Sequence, residues 1–559
     1  KKVMLIFINK CIKYYNTIKH LRPIQIIGQI KRFFKVSKNT RINFSKHYGL
    51  RPISNKFIVP ANRNKKMLHK HTFKFLNEIK NISGVSDWND YSTDKLWLYN
   101  LHYFDDLNSF HSNHRTAWHE DLVDLWIENN TLGEGVGWEP YTISLRTVNW
   151  IKWHLKGQFL KQHVLHSILI QIRFLSKNIE THLLGNHLFS NAKALIFAGL
   201  FFNHNEADDW YNKGLKILNN ELSEQILNDG ASFELSTMYH ILLLEDLIDL
   251  LNIHNTFERP APKGIKDKIN LMFSWLITMT HPDGEISFFN DAALNVAPSV
   301  EEIKAYIGRL NKSRIINVDI EKKLHQPIIN LENSGYTRLQ AKDLVLLVDR
   351  AAVGPDYLPG HAHADTLSFE LSLFSKRVIV NSGTSTYEKN TNRHQQRSTS
   401  SHSTVMIDGE NSSEVWDSFR VAKRAKVFKS VDKIQDKKIM VSAMHGGYHR
   451  LPGRPTHHRK WELSQSLLEI TDVINGMGSH DIDLVFPLHP EVTILNYDKE
   501  SVFLDILGNR VGINFSGSGE LCVRTSTYHP EFGLSIENMQ LNYRLSEKLP
   551  SRIITRINW

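Results

Sequence analysis

From about residue 65 to residue 310 apolar positions recur at intervals of three and four, and beyond about residue 330 they alternate in short runs. The first spacing lines apolar side chains along one face of a helix. It is clear in SLRTVNWIKWHL (144–155), VLHSILIQIRFLSKNI (164–179), NAKALIFAGLFF (191–202), WYNKGLKILNNELSEQIL (210–227), MYHILLLEDLIDLLN (238–252) and IKDKINLMFSWLITMT (265–280). Connections such as NDGAS (228–232) and HPDGE (281–285) supply the Gly and Asp that turns need. Successive helices with short polar links predict an all-α array, and no fixed repeat marks it as a solenoid. The second spacing appears in DLVLLVDRA (343–351), RVIVNSG (377–383), STVMIDG (403–409), KKIMVSAMH (437–445), LLEITDVING (467–476), EVTILNYD (491–498) and RVGINFSG (510–517). Short strands punctuated by turns predict an antiparallel sandwich or barrel. The expected chain is therefore α+β and multidomain. A basic helical extension over 1–64 precedes a helical domain over 65–325 and an antiparallel β domain over 326–559, with an active site expected between the last two.

Composition narrows the partners. With 559 residues, 41% hydrophobic and 23% charged, the chain has the make-up of a folded multidomain protein. Two cysteines, Cys11 and Cys522, make neither a disulfide framework nor a cysteine metal site. The formal charge of +10 favours a polyanionic partner. No zinc-finger spacing, RNP-like motif or phosphate-binding glycine loop accompanies it, so no nucleic-acid partner is expected. In KKVMLIFINKCIKYYNTIKHL the apolar run is too short for a membrane span and lacks a small-residue cleavage site. The expectation is a cytoplasmic protein without a secretory signal. Residues 1–38 are expected to form basic amphipathic helices that pack on the domain or, as the second option, make peripheral contact with an anionic membrane at its inner face.

Several stretches carry candidate chemistry. GHAHADTLSF (360–369) sets His361, His363 and Asp365 two apart, so in an extended segment all three share a face. Imidazole moves protons near neutral pH and is the commonest metal ligand, although among 29 His such a spacing also arises by chance. LLGNHLFSNAKAL (183–195) places Asn186 and His187 at a helix start. There Asn186 reads either as an N-cap or as an amide that meets an anionic group. DGASFELSTMYHILLLEDL (229–247) carries Glu234 and Tyr239, the latter either a core tyrosine or a site phenol. In GEGVGWEPYTISLRTVNWIKW (133–153) aromatic residues, Trp138 among them, alternate with Arg146 and Asn149, as in a groove for acidic sugars or in a helix core. The basic loop from Arg393 through Arg397 to His402 adds a third imidazole, and its cations also read as a solvated face.

Together these motifs have a family likeness. GHAHADTLSF, then VIVNSGTSTY (378–387) and RSTSSHSTVMIDG (397–409), resembles the C-terminal domain of the heparinase II/III-like polysaccharide lyases. GNHLFSNAKALIFAGLFF (185–202) and FELSTMYHILLLEDL (233–247) resemble that family's helical N-terminal domain, and the order holds over most of residues 95–460. The resemblance implies an incomplete (α/α) toroid followed by an antiparallel β-sandwich. It also implies β-elimination at uronic acid residues of an acidic polysaccharide, glycosaminoglycan-like or from a bacterial surface. Such an enzyme neutralises the uronate carboxylate, removes the C5 proton and protonates the departing O4. By resemblance Asn186 neutralises the carboxylate, helped by His187, and Tyr239 and His361 form the acid–base pair. Glu234, Arg146, Asn149, Trp138 and Arg397 are expected to face the substrate. The family also implies a structural divalent metal, zinc or calcium, in the β domain. His363 and His402 match two ligands, and Asn381 stands where Asp is usual; a neutral amide is the weaker ligand. A uronyl C5-epimerase shares the first step and is the second expectation. A non-catalytic acidic-glycan-binding protein is the third.

Overall fold

In the computed structural model, which describes residues 2–33, 42, 48–310, 324–435 and 438–559, the three-and-four spacing closes into helices close to the expected bounds. Two amphipathic helices, α1 (Lys2–Ile18) and α2 (Pro23–Phe33), come first. The helical domain contains α3 (Lys95–Tyr103), α4 (Thr116–Asn129), α5 (Pro140–Leu155), α6 (Gln162–Lys177) and α7 (Gly185–Phe201). It continues with α8 (Asn205–Gln225), α9 (Thr237–Thr256), α10 (Ile265–Thr278) and α11 (Val300–Leu310). Helices alternate between two layers: α3 packs on α5, α5 on α7 and α7 on α9, while α4 packs on α6 outside them. The inner helices α7 and α9 are buried along almost their whole length, which is why their sequences are apolar nearly all round.

One expectation fails at the start of this domain. Residues 65–94 hold no α-helix, only a 3-10 turn at Val85–Asn89; Met67–His69, Thr72–Phe75 and Glu78–Asn81 form a three-stranded antiparallel sheet. Phe73 and Phe75 are buried and Lys74 between them is exposed, the period of two that marks a strand. Part of the expected extension (34–41 and 43–47) and of the expected seam (311–323) lies outside the described residues, as does Lys437 of the KKIMVSAMH run.

The β domain is antiparallel, with three main sheets. Strands 376–379, 369–373, 344–349, 336–341 and 328–331 make a five-stranded sheet in that order. Strands 405–407, 479–487, 536–548 and 520–528 make a four-stranded one. The last strand, Ser551–Asn558, lies between Leu467–Asn475 and Asn509–Ser516 and so joins the two halves of an eight-stranded sheet. Trp461, Phe486 and Tyr543 belong to the apolar core of these sheets.

A separate apolar cluster joins the domains: Leu235, Trp275 and Phe289 from the helical side meet Leu331, Tyr336 and Leu347. Trp275 Nε1 donates to Ser334 Oγ at 3.0 Å and Tyr336 Oη to the Leu235 carbonyl at 3.0 Å. The connection between α10 and α11 crosses this seam. Arg377 Nε donates to Asp283 Oδ2 at 2.7 Å, and His281 Nε2 lies 2.8 Å from Glu370 Oε2, so the segment leading to Asp291 is fastened to the sheet.

Candidate active site

A cavity of 810 Å³ opens at the seam and takes side chains from both domains. On the helical wall, Leu184 and Gly185, the N-cap and first residue of α7, both adopt left-handed φ, at 61° and 53°. The positive φ favours glycine at 185, where a Cβ would also stand 2.6 Å from Leu358 Cδ2 of the β domain and force that side chain to shift. Asn186 then lies inside the first turn of α7 and is not its N-cap, a position Leu184 takes. Its Nδ2 donates to Tyr141 Oη at 2.9 Å, and the His187 ring packs on Tyr141 with centroids 4.3 Å apart. Tyr239 stands in the first turn of α9, where Ser236 is the N-cap and accepts from the Tyr239 N–H at 3.2 Å.

From the β domain comes His361, whose ring centroid lies 4.1 Å from that of Tyr239. The segment 361–367 is irregular, with Leu367 at φ 63°, and the strand begins only at Phe369. His361, His363 and Asp365 therefore do not share a strand face as expected. Asp365 Oδ2 turns aside to accept from the Asn290 N–H at 3.3 Å. The imidazoles converge for another reason, which is Asp291. Its Oδ2 accepts from His361 Nδ1 at 2.9 Å and its Oδ1 from His363 Nε2 at 2.8 Å. The Arg393 guanidinium grips both oxygens, and Thr384 Oγ1 adds a donor at 3.3 Å. Burial pushes the Asp291 carboxyl up, but Arg393 and the bonds from His361 and His363 overcome it and hold the group well below the usual carboxylate range. In the neutral ring, donation from Nδ1 leaves His361 Nε2 as the acceptor.

Two phenols face this imidazole. Tyr239 Oη and Tyr387 Oη are 2.9 Å apart, and burial raises both well above an ordinary tyrosine. Tyr239 is therefore a phenol, not a phenolate, at neutral pH. Glu234 lines the cavity, and burial raises its carboxyl despite the opposing influence of His361 and His187.

Four expected substrate contacts lie elsewhere. Arg146 is fully buried in the helical core, over the Trp126 ring at 3.7 Å, donating to Gln171 Oε1 and the Gly137 carbonyl. Asn149 donates to the Tyr103 carbonyl and Asp105 Oδ1, and Trp138 donates to the Asn130 carbonyl while packing on Trp126 and Phe174. Arg397, also buried, donates to the carbonyls of Ala362 and Asp417 and so braces the backbone between His361 and His363. Ring-and-cation alternation suits a core as well as a groove, because both bury aromatic faces. The cations at the cavity wall are instead Arg63, Lys65, Lys66, Lys74 and Lys95. Asp291, Tyr141 and Tyr387 are the residues at this site that spacing does not single out, and Arg393 reads in the sequence only as one cation of a basic loop. Tyr387 closes the VIVNSGTSTY motif and Tyr141 lies within the aromatic stretch, whereas Asp291 stands in no periodic segment.

The expected metal ligands form a hydrogen-bonded chain. His363 Nδ1 faces His402 Nε2 at 3.2 Å, and His402 Nδ1 faces Asn381 Oδ1 at 3.0 Å. The Asn381 oxygen is thus on the far side of the His402 ring from His363, and its Nδ2 is buried without a partner. Three donors do not converge on one point. Among the described residues no group of three or more His, Cys, Asp or Glu is placed to hold a metal ion. This set does not fit the implied divalent metal.

Comparison with known proteins agrees with the architecture. Residues 54–308 match the family description "Heparinase II/III N-terminus" and residues 324–559 match "Heparinase II/III-like, C-terminal". The chain belongs to the heparinase II/III-like family. A heparin-sulfate lyase of Bacteroides stercoris is 27% identical over 243 residues, 41% of this chain and 36% of that protein. One of Bacteroides thetaiotaomicron is 24% identical over 379 residues, 61% of this chain and 50% of that protein. The chain thus spans half or less of the length of these curated relatives. A crystal structure of heparinase III superposes with a TM-score of 0.70 at 18% identity, over 86% of this chain and 79% of that one. A mutant heparan sulfate lyase of Pedobacter heparinus gives 0.62 at 17%, over 88% and 81%. The two-layered helical domain is the toroid of this fold, and the antiparallel sheets are its sandwich.

Proposed function

We propose that the protein cleaves a uronic-acid-containing polysaccharide by β-elimination. The observation that carries this reading is the Tyr239–His361 pair, rings 4.1 Å apart, lining one cavity together with Asn186. The names of the matched relatives, which are heparin-sulfate lyases, point to a glycosaminoglycan or a similar polymer.

Burial keeps the Tyr239 phenol protonated, as a proton donor to O4 must be. The Asn186 amide, held by Tyr141, donates to the uronate carboxylate and offsets the charge that accumulates when C5 is deprotonated. His187 stands beside it. His361 Nε2 takes the C5 proton, and Asp291 stabilises the imidazolium that forms. The C4–O4 bond breaks, the C4=C5 double bond forms, and the Tyr239 phenol gives its proton to O4. The hydrogen bond from Tyr387 stabilises the phenolate until it is reprotonated. Lys66, Lys74 and Lys95 supply positive charge for the neighbouring acidic residues of the polymer. The implied metal has no part in this scheme.

The test is incubation with a panel of uronate polysaccharides, followed by absorbance near 232 nm, where the unsaturated uronate absorbs. Absorbance gain on at least one polymer supports elimination. Deuterium uptake at C5 in heavy water without absorbance would make the protein a C5-epimerase. Binding with neither signal would make it a glycan-binding protein.

A further inference from the structure

The first two helices are mounted the wrong way round for a protein in water. Among the described side chains, the polar edge packs on the body and the apolar edge faces out. On α1, Asn16 is buried and Thr17 Oγ1 accepts from Trp416 Nε1 at 3.1 Å, with Tyr14 edge-on to the same indole at 5.0 Å. On α2, Gln25 is buried and donates to the Tyr357 carbonyl at 3.0 Å, and a Cβ on Gly28 would collide with His182 of the helical domain. Between the helices Arg22 lies 3.7 Å over the Tyr357 ring and pairs with Glu224 of α8. The pair is thus fastened to both domains.

The outer edge is a stripe of large apolar side chains. Ile8, Ile12 and Tyr15 follow one another at four and three residues along α1, with Ile18 beside them. Ile24, Ile27 and Ile30 do the same along α2 at three-residue steps. Tyr15 is 68% exposed and Ile27 and Ile30 are 51% exposed, values that soluble proteins keep for scattered single residues and not for a continuous face. Lys10, Lys19 and Lys31 are exposed on the same helices.

Charge selects what covers this face. The first 77 residues contain 19 Lys and Arg and no Asp or Glu, whereas the remainder carries 49 Lys and Arg against 58 acids. A second copy of the chain would bring two wholly cationic faces together. An anionic bilayer surface satisfies both the apolar stripe and the cations that flank it, and lasting attachment needs both signals. Among the described residues no helix is long and apolar enough to cross a membrane, so the pair would lie in the interface plane.

We propose that the outward face of α1 and α2 docks on the surface of a membrane rich in anionic lipid. The inference stands independently of the reaction proposed above. It is tested by flotation of the full chain with phosphatidylcholine vesicles with and without phosphatidylglycerol. Binding should be stronger on the anionic vesicles by on the order of tenfold or more, and should be lost in high salt. The double substitution Ile12→Ser and Ile27→Ser should weaken it about tenfold while the melting temperature stays unchanged, because both side chains are exposed. A Tyr15→Trp reporter should shift its emission to the blue on binding. Equal affinity for neutral vesicles, or binding unaffected by the double substitution, would overturn the proposal. So would a chain that ignores vesicles, whether it stays monomeric or self-associates through this face in sedimentation velocity.

Discussion

Asp291→Asn is the most informative single perturbation of this site. The carboxylate accepts from His361 Nδ1 at 2.9 Å, from His363 Nε2 at 2.8 Å and from Thr384, and it neutralises Arg393. An amide offers one acceptor oxygen in place of two. Its NH₂ must then point at one of the two imidazole N–H groups, and that ring must change tautomer or move. If the ring is His361, Nε2 acquires the proton and ceases to be an acceptor for C5. Loss of a positioned general base costs about 10²- to 10⁴-fold in turnover. The same change strands a guanidinium that is 1% exposed, and removing one partner of a buried pair costs about 3–5 kcal/mol. The substitution should therefore lower kcat on the polymer that wild type cleaves, followed at 232 nm, with little change in KM, since Asp291 sits behind the cavity wall. Calorimetry should show a lower melting temperature. The stability gap should narrow in acid. The folded Asp291 carboxyl lies well below its unfolded value, so its contribution is complete above the ordinary carboxylate range and is lost as pH falls toward the folded value. A variant that keeps both wild-type turnover and wild-type melting temperature would refute the role given to Asp291.

Tyr239→Phe and His361→Ala should each lower turnover by about 10² or more, with circular dichroism unchanged, because each removes a proton carrier at the cavity wall; retention of activity by both would remove the acid–base assignment. Trp138→Ala should cost about 3–5 kcal/mol in denaturant unfolding and leave KM unchanged, since the indole packs on Trp126 and Phe174 and not on the cavity; a selective rise in KM would return it to the substrate groove. Stability should fall between pH 8 and pH 5. Burial lowers His102 and His240 to about 3, so the unfolded chain takes up protons below the ordinary histidine value while these two folded side chains do not, at about 2 kcal/mol each by pH 5. An unfolding midpoint that is flat or rises over that interval would contradict the burial of these rings.

What was legible in the sequence followed the range of the interactions concerned. Helices α5 to α10 declare themselves because the packing that stabilises each one repeats every three or four residues along its own segment. The sheet at 67–81 hid within that region because its strands are three or four residues long, too short for alternation to stand out from helical spacing. Asn186, Tyr239 and His361 were each ambiguous locally and gained their meaning from long motifs in a fixed order. The direct partners of that trio were not legible. Asp291 is 70 residues from His361 and 102 from Arg393, and it follows Asn290, whose left-handed φ of 59° turns the chain toward the seam. Nothing in FFNDAAL announces a carboxylate that gathers two imidazoles and a guanidinium.

The same carboxylate explains why a site split between two domains holds its geometry. Ser236 Oγ accepts from the Tyr239 N–H and donates to the Asp291 carbonyl, so one hydroxyl fixes the start of α9 to the backbone that presents the carboxylate. The Asp291 N–H donates in turn to the His361 carbonyl at 3.0 Å, while its side chain holds the His361 ring. Asn290 ties the helical side again, donating to the Leu235 carbonyl at 2.9 Å and accepting from the His363 N–H at 3.1 Å. The phenol and the imidazole therefore do not depend on the docking of two large surfaces for their 4.1 Å approach. They hang on opposite ends of one short segment of loop, and the apolar cluster of Leu235, Trp275, Phe289 and Tyr336 keeps water from competing for its hydrogen bonds. Such an arrangement lets the cavity walls vary in shape, as Lys66 beside the outlying strands, Lys74 on one of them and Lys95 on α3 allow, while the proton-transfer pair keeps one geometry.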